Sequence, residues 1–240
     1  MSTPIKRQKT QQIFKKQADI LRTKCSFKEA VLSYLNSVLI ERNNPDTYFG
    51  LGVCYRNLGK IKKAISALEK AAKLDMNNSD TFYELGLCHL KEETPCKAIK
   101  CFIRAIEIEP ENPEAIYQLG LAHEQCDEQD MAMMIYQKLI ETSPTYLNAY
   151  LRKSQLLMKM ELYRPALALY KNVLKINPHY TRAYFDIGIC LDKLGKQTDA
   201  KRYYHKFLEF NPQDEKANYV MKRVNELRKN NSNHANLSLV

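Results

Sequence analysis

Residues 79–112 read SDTFYELGLCHLKEETPCKAIKCFIRAIEIEPEN, and residues 113–146 read PEAIYQLGLAHEQCDEQDMAMMIYQKLIETSPTY. Laid one over the other, the two stretches share their chemistry at fixed places. A large apolar residue stands fourth, Leu-Gly seventh and eighth, Ala twentieth, an aromatic twenty-fourth and Pro thirty-second. A period of this length marks a repeat architecture, in which each unit buries its apolar face only by stacking on its neighbours.

The phase continues in both directions. Ala30, Ala64, Ala98, Ala132, Ala166 and Ala200 stand 34 residues apart. Gly52, Gly86, Gly120 and Gly188 keep the same period with Ser154 in the missing place, and Pro110, Pro144, Pro178 and Pro212 close four units. The units are 11–44, 45–78, 79–112, 113–146, 147–180 and 181–214. Their fourth places hold Phe14, Tyr48, Phe82, Ile116, Tyr150 and Tyr184, and their twenty-fourth Tyr34, Leu68, Phe102, Tyr136, Tyr170 and Tyr204. Each unit reads as two amphipathic helices of about 13 residues, with apolar residues at i, i+3, i+4 and i+7. A short turn separates the helices and Pro or Asn ends the unit. The small residues stand where two helices cross too closely for a larger side chain. Pro95 and Pro165 fall at the starts of second helices, where proline is tolerated.

The ends depart from the pattern as caps must. Unit 11–44 has Gln17-Ala18 in place of Leu-Gly and a strongly charged first helix, preceded by a basic arm over 1–10. Residues 215–229 predict a capping helix with Ala217, Val220, Met221, Val224 and Leu227 on one stripe. The polar stretch 230–240 is expected to be disordered.

This succession of aromatic, Leu-Gly, aromatic, Ala, aromatic and Pro resembles the tetratricopeptide repeat over residues 11–214. The resemblance implies an all-α, right-handed superhelical solenoid of six helix-turn-helix repeats plus the C-terminal capping helix. It also implies a non-catalytic scaffold or adaptor that binds a peptide or helix of a partner protein in its concave groove. On a helix of 3.6 residues per turn, places 4, 7, 8 and 11 share the arc facing the partner helix, and places 2, 5, 9 and 12 share another. In the family the second arc lines the groove. The candidate groove residues are therefore Phe49, Val53, Arg56, Tyr83, Leu87, Tyr117, Leu121, Glu124, Leu151, Gln155, Phe185 and Ile189. They form a ladder of apolar rungs edged by charge, suited to a segment with apolar anchors. The plainer alternative is that the rungs pack neighbouring units. The carboxylate clamp of the family's co-chaperones is a poor match, because Lys15 is followed by Asp19, Gly50, Asp80 and Glu84, where carboxylate would meet carboxylate.

The formal net charge of +10 invites a nucleic-acid reading, but the positive charge sits toward the two ends and residues 79–146 are acidic. A continuous phosphate track would be repelled by that middle. The alternative function is nonetheless a nucleic-acid-associated protein using Lys6, Arg7, Lys9, Lys15, Lys16, Lys222, Arg223, Arg228 and Lys229. Met1 to Lys16 is polar and basic, with neither a secretory signal nor an anchor, and no apolar run reaches spanning length, so no membrane insertion and a cytoplasmic location are expected. Seven cysteines without framework spacing fit reduced thiols. Cys54, Cys88 and Cys190 share the tenth place, where a small residue is wanted. His89 and His123 share the eleventh and read as core filling. No metal-ligand spacing, cofactor-binding loop or catalytic motif occurs, so no metal, no cofactor and no enzyme activity are expected.

Overall fold

The computed structural model describes the backbone over residues 4–237 and the side chains over 8–227. The described residues form thirteen α-helices and no strand. The chain divides into two compact units, Met1–Ile135 and Tyr136–Val240. The first holds α1 (Pro4–Thr23), α2 (Phe27–Ile40), α3 (Pro45–Asn57), α4 (Ile61–Leu74), α5 (Ser79–Lys91), α6 (Pro95–Ile108) and α7 (Pro113–Gln125). The division falls within α8 (Gln129–Thr142). The second unit goes on with α9 (Leu147–Lys159), α10 (Tyr163–Ile176), α11 (Arg182–Lys193), α12 (Gln197–Phe210) and α13 (Ala217–Leu237).

In the first unit α1 packs with α2, α3 with α4 and α5 with α6, and each second helix also touches the next first helix. In the second, α9 packs with α10, α10 with α11, α11 with α12 and α12 with α13. The residues that carry the period are the core. All six twentieth-place alanines and all six twenty-fourth-place large residues are buried. The glycines show why the eighth place is small: a Cβ on Gly86 would stand 2.5 Å from the Phe102 ring, inside any real contact distance. Gly50 plays a related part between pairs. It receives the ring of Tyr34, whose hydroxyl donates to Asp19 Oδ1 at 2.5 Å and accepts from Arg22 Nε at 3.3 Å.

One turn recurs without exception. Cys25, Gly59, Glu93, Asp127, Glu161 and Gly195, fifteenth in their units, all have φ between 56° and 74°. The next amide donates to a carbonyl five residues back: Ser26 to Leu21, Lys60 to Tyr55, Thr94 to His89, Glu128 to His123, Leu162 to Leu157 and Lys196 to Leu191, at 2.8–2.9 Å. This left-handed C-terminal cap satisfies carbonyls that the ended helix leaves open. Junctions between units are capped less evenly. The side chains of Asn44, Asn78 and Asn112 accept from the amides of Thr47, Thr81 and Ala115. Tyr146 and Thr181, ahead of α9 and α11, make no side-chain cap bond.

Two boundaries differ from the sequence reading. Helix α1 begins at Pro4, so part of the expected basic arm is helical, because the polar run Lys6–Gln12 contains strong helix formers and no breaker. Helix α13 runs to Leu237, past the expected stop at Lys229 and through most of the stretch expected to be disordered, since no Gly or Pro ends it. Residues 238–240 of that stretch lie outside the described residues.

Candidate interaction face

In the first compact unit the candidate face is built on α3, α5 and α7. Phe49 of α3 is half-buried and packs against two clusters, one around Tyr34 and Tyr48, the other around Leu68 and Leu85. Val53, a turn later, is only 8% exposed. Tyr83 of α5 lays its ring 6.0 Å from that of Phe102, and Leu87 and Leu90 pack beside it on the cluster of Ala98, Phe102 and Ala122. Tyr117, Leu121 and Glu124 of α7 are half-buried. Several predicted rungs thus give part of their surface to packing within their own helix pair and against the neighbouring one, and leave the remainder open.

Charge on this face is partly committed. Arg56 makes a bidentate pair with Glu84 of the next first helix, Nε to Oε2 at 2.5 Å and Nη2 to Oε1 at 3.1 Å, both side chains largely covered. Arg56 therefore joins α3 to α5. Lys15 pairs with Asp46 at 2.9 Å, and Asp19 is held by Tyr34. Asp80 and Glu114 are exposed. Burial, then the carboxylates of Glu84 and Glu114, push the Tyr83 hydroxyl above its ordinary range. The open part of the face is apolar with acidic neighbours.

The second compact unit builds its share on α9 and α11. Leu151 is 8% exposed and so belongs to the packing, whereas Gln155 is exposed. Phe185 stands among Tyr204, Phe207 and Tyr219 at centroid distances of 6.5, 5.4 and 6.2 Å, with Arg182 and Lys216 each about 5 Å from its ring. Ile189 is half-buried. Asp186 lies 3.6 Å from Arg182, and its burial raises its carboxyl above the ordinary value despite that guanidinium and Lys216. Arg223 of α13 closes on Asp192 at 2.6 and 2.8 Å.

Of the basic residues considered for nucleic acid, Lys15 and Arg223 are thus paired, while the side chains of Lys6, Arg7, Arg228 and Lys229 lie outside the described ones. Burial pushes the thiols of Cys54 and Cys88 up to about 11 and that of Cys190 to about 12, as in a closed helix contact. His89 Nδ1 meets Thr94 Oγ1 at 3.1 Å and His123 Nδ1 meets Glu128 Oε2 at 2.5 Å, each tied to the turn after its own helix. Among the described residues no three side chains are grouped as metal ligands, and no helix is long and apolar enough to cross a membrane.

Two features escaped the sequence reading. Leu32, Leu35 and Leu39 form an exposed stripe on α2 at places where later units are mostly polar. Cys96 and Cys126 come together across two helix pairs. The comparison of equivalent places along the repeat could have found both.

These helix pairs, with their shared turn and their small-residue contacts, define an all-helical repeat solenoid. Tetratricopeptide-repeat models match residues 45–78, 113–146 and 157–224, and a TPR-repeat model matches 97–126. The chain belongs to the tetratricopeptide-repeat superfamily, whose members are in general non-catalytic interaction scaffolds. Solved structures agree on the fold. The C-terminal part of a TPR repeat-containing protein from Cytophaga hutchinsonii is similar at 19% identity and a TM-score of 0.75, over 88% of this chain and 94% of that one. PilF of Pseudomonas aeruginosa is similar at 16% identity and a TM-score of 0.71, over 90% and 98%. YrrB, described as a TPR protein with an unusual peptide-binding site, is similar at 17% identity and a TM-score of 0.66, over 79% and 97%. No curated protein matches the chain.

Proposed function

We propose that the protein is a non-catalytic adaptor that holds an extended or helical segment of a partner protein on the face of α3, α5 and α7. The observation that carries this reading is the half-open apolar row Phe49, Tyr83, Leu87, Tyr117 and Leu121 beside the exposed carboxylates of Asp80 and Glu114. A segment with apolar anchors and flanking Lys or Arg complements it: the anchors bury the open ring edges, and the cations set register and speed encounter. The unusual peptide-binding site of YrrB supports the class of ligand, not its sequence. A carboxylate clamp does not fit, since Lys15 is held by Asp46 and Asp19 by Tyr34.

The test is selection from a displayed peptide library on the full chain, repeated with Tyr117→Ala and Leu121→Ala together. Tyr83 is left intact because it also packs against Phe102. Enriched peptides should combine apolar anchors with basic residues and lose binding to the double variant while its helical circular dichroism stays unchanged. Peptides that bind parent and variant equally would overturn the reading.

A further inference from the structure

Cys96 Sγ and Cys126 Sγ lie 3.8 Å apart within the first compact unit. Cys96 is exposed and follows Pro95 in the first turn of α6, and Cys126 is the half-buried residue that ends α7. The repeat explains the meeting. It sets the eighteenth place of one unit against the fourteenth of the next, and the preceding junctions carry Lys28 with Leu58 and Lys62 with Glu92 at those places. A sulfur pair arises here because both halves of one junction are cysteine. A notch of about 470 Å³, lined by Leu90, Lys91, Glu93, Pro95 and Gln125, takes in the chain neighbours of both thiols, and Cys96 itself is exposed.

We propose that Cys96 and Cys126 are an oxidative modification site, a reversible disulfide that fastens α6 to α7. A disulfide bond is about 2.0 Å long, so the sulfurs must close by roughly 1.8 Å, within reach of side-chain rotation at an exposed first-turn residue. The oxidant is a small-molecule disulfide such as glutathione disulfide. The Cys96 thiolate attacks one of its sulfurs, the S–S bond of the oxidant breaks, and one glutathione thiolate leaves. Cys126 then gives its proton to water and attacks Cys96 Sγ, which breaks the mixed disulfide and releases the second glutathione. The protein has lost two electrons and two protons, and the oxidant has gained them. Cys96 reacts first because it is the more open, whereas burial and then the hydrogen bond to Cys96 hold the Cys126 thiol above its ordinary range. The thiols of Cys54, Cys88, Cys101 and Cys190 are withdrawn by burial.

The full chain is titrated with glutathione disulfide, quenched with an alkylating reagent, weighed intact and digested without reduction. Two of the seven thiols should disappear with loss of the mass of two hydrogen atoms, and a peptide pair joined through Cys96 and Cys126 should appear. Cys96→Ser should abolish that pair, and Cys25→Ser should leave it. A glutathione adduct that persists on Cys96 of the parent, or dimers linked through Cys25 in place of the internal bond, would overturn the proposal.

Discussion

Replacing Glu161 by Gly should raise the stability of the chain, and replacing Gly59 by Ala should lower it by a similar amount. Both residues hold the same left-handed turn, with φ of 58° at Glu161 and 71° at Gly59. A side chain in that conformation costs roughly 1–2 kcal/mol. Glycine escapes that cost but gives up roughly 0.5–1 kcal/mol of unfolded-chain freedom. The difference is about 0.5–1 kcal/mol in favour of Gly, and it shifts the melting of a chain of this length by roughly 1–4 °C. Packing does not enter at Gly59, because a Cβ there would meet nothing within 4 Å. Any change measured in Gly59→Ala is therefore a backbone effect. The assay is thermal and urea unfolding followed by helical circular dichroism, on both variants and on Glu161→Ala as the side-chain control. Glu161→Ala keeps the strained φ and should stay near the parent. If Glu161→Gly melts below the parent while Gly59→Ala is unchanged, the fifteenth place is not held left-handed and the turn assignment fails.

Two further outcomes follow from charged groups. Arg56→Gln or Glu84→Gln alone should lower stability by about 1–3 kcal/mol in urea unfolding, because each strands a largely covered charge, whereas the double exchange to Gln should recover part of the loss; full additivity of the singles would show that the pair does not join α3 to α5. Asp186→Asn should unfold at higher urea than the parent at pH 7. The folded carboxyl value lies above the ordinary 3.8, so its ionisation opposes folding at every pH above the folded value. That penalty fades as the pH falls through the folded value toward 3.8, so the gap between parent and variant should close there. A gap that widens on acidification would reverse the sign and refute the burial argument.

Much of this fold is legible in the sequence because the contacts that make it tolerate few residue types. Gly86 can be only small opposite Phe102, and the alanine of each second helix has no space beyond its methyl. The recurrent turn is less legible for the opposite reason. Its left-handed residue is Gly only at Gly59 and Gly195, and Cys25, Glu93, Asp127 and Glu161 carry a tolerable strain that leaves no compositional mark. Lys153 is a second case. It fills a place that is Leu in three other units, keeps its stem half-buried and brings its ammonium to Gln137 Oε1 at 2.5 Å, so a charged residue serves where the pattern asks for an apolar one.

The candidate face shows where single-helix geometry runs out. A projection of one helix places the fifth and ninth residues on an arc separate from the one expected to face its own partner, but it carries no information about how far a large side chain reaches from that arc. Val53 and Leu151 are almost wholly covered, Tyr83 reaches back to Phe102 of its own second helix, and Phe185 reaches both Tyr204 and Phe207 of its own second helix and Tyr219 of α13. Under the proposed function each rung is divided between cohesion and recognition, and the division is set by how far the adjacent helix overlaps it. A rung that is half-covered is already ordered before a ligand arrives, so a partner that buries the open half does not have to immobilise it again. The same division applies to charge. The guanidinium of Arg56 is held by Glu84 and cannot turn to a ligand without stranding that carboxylate, while Asp80 and Glu114 remain exposed beside the rungs. Under the proposed function, the sign of a partner's flanking charge is thus decided by the carboxylates that packing has not used.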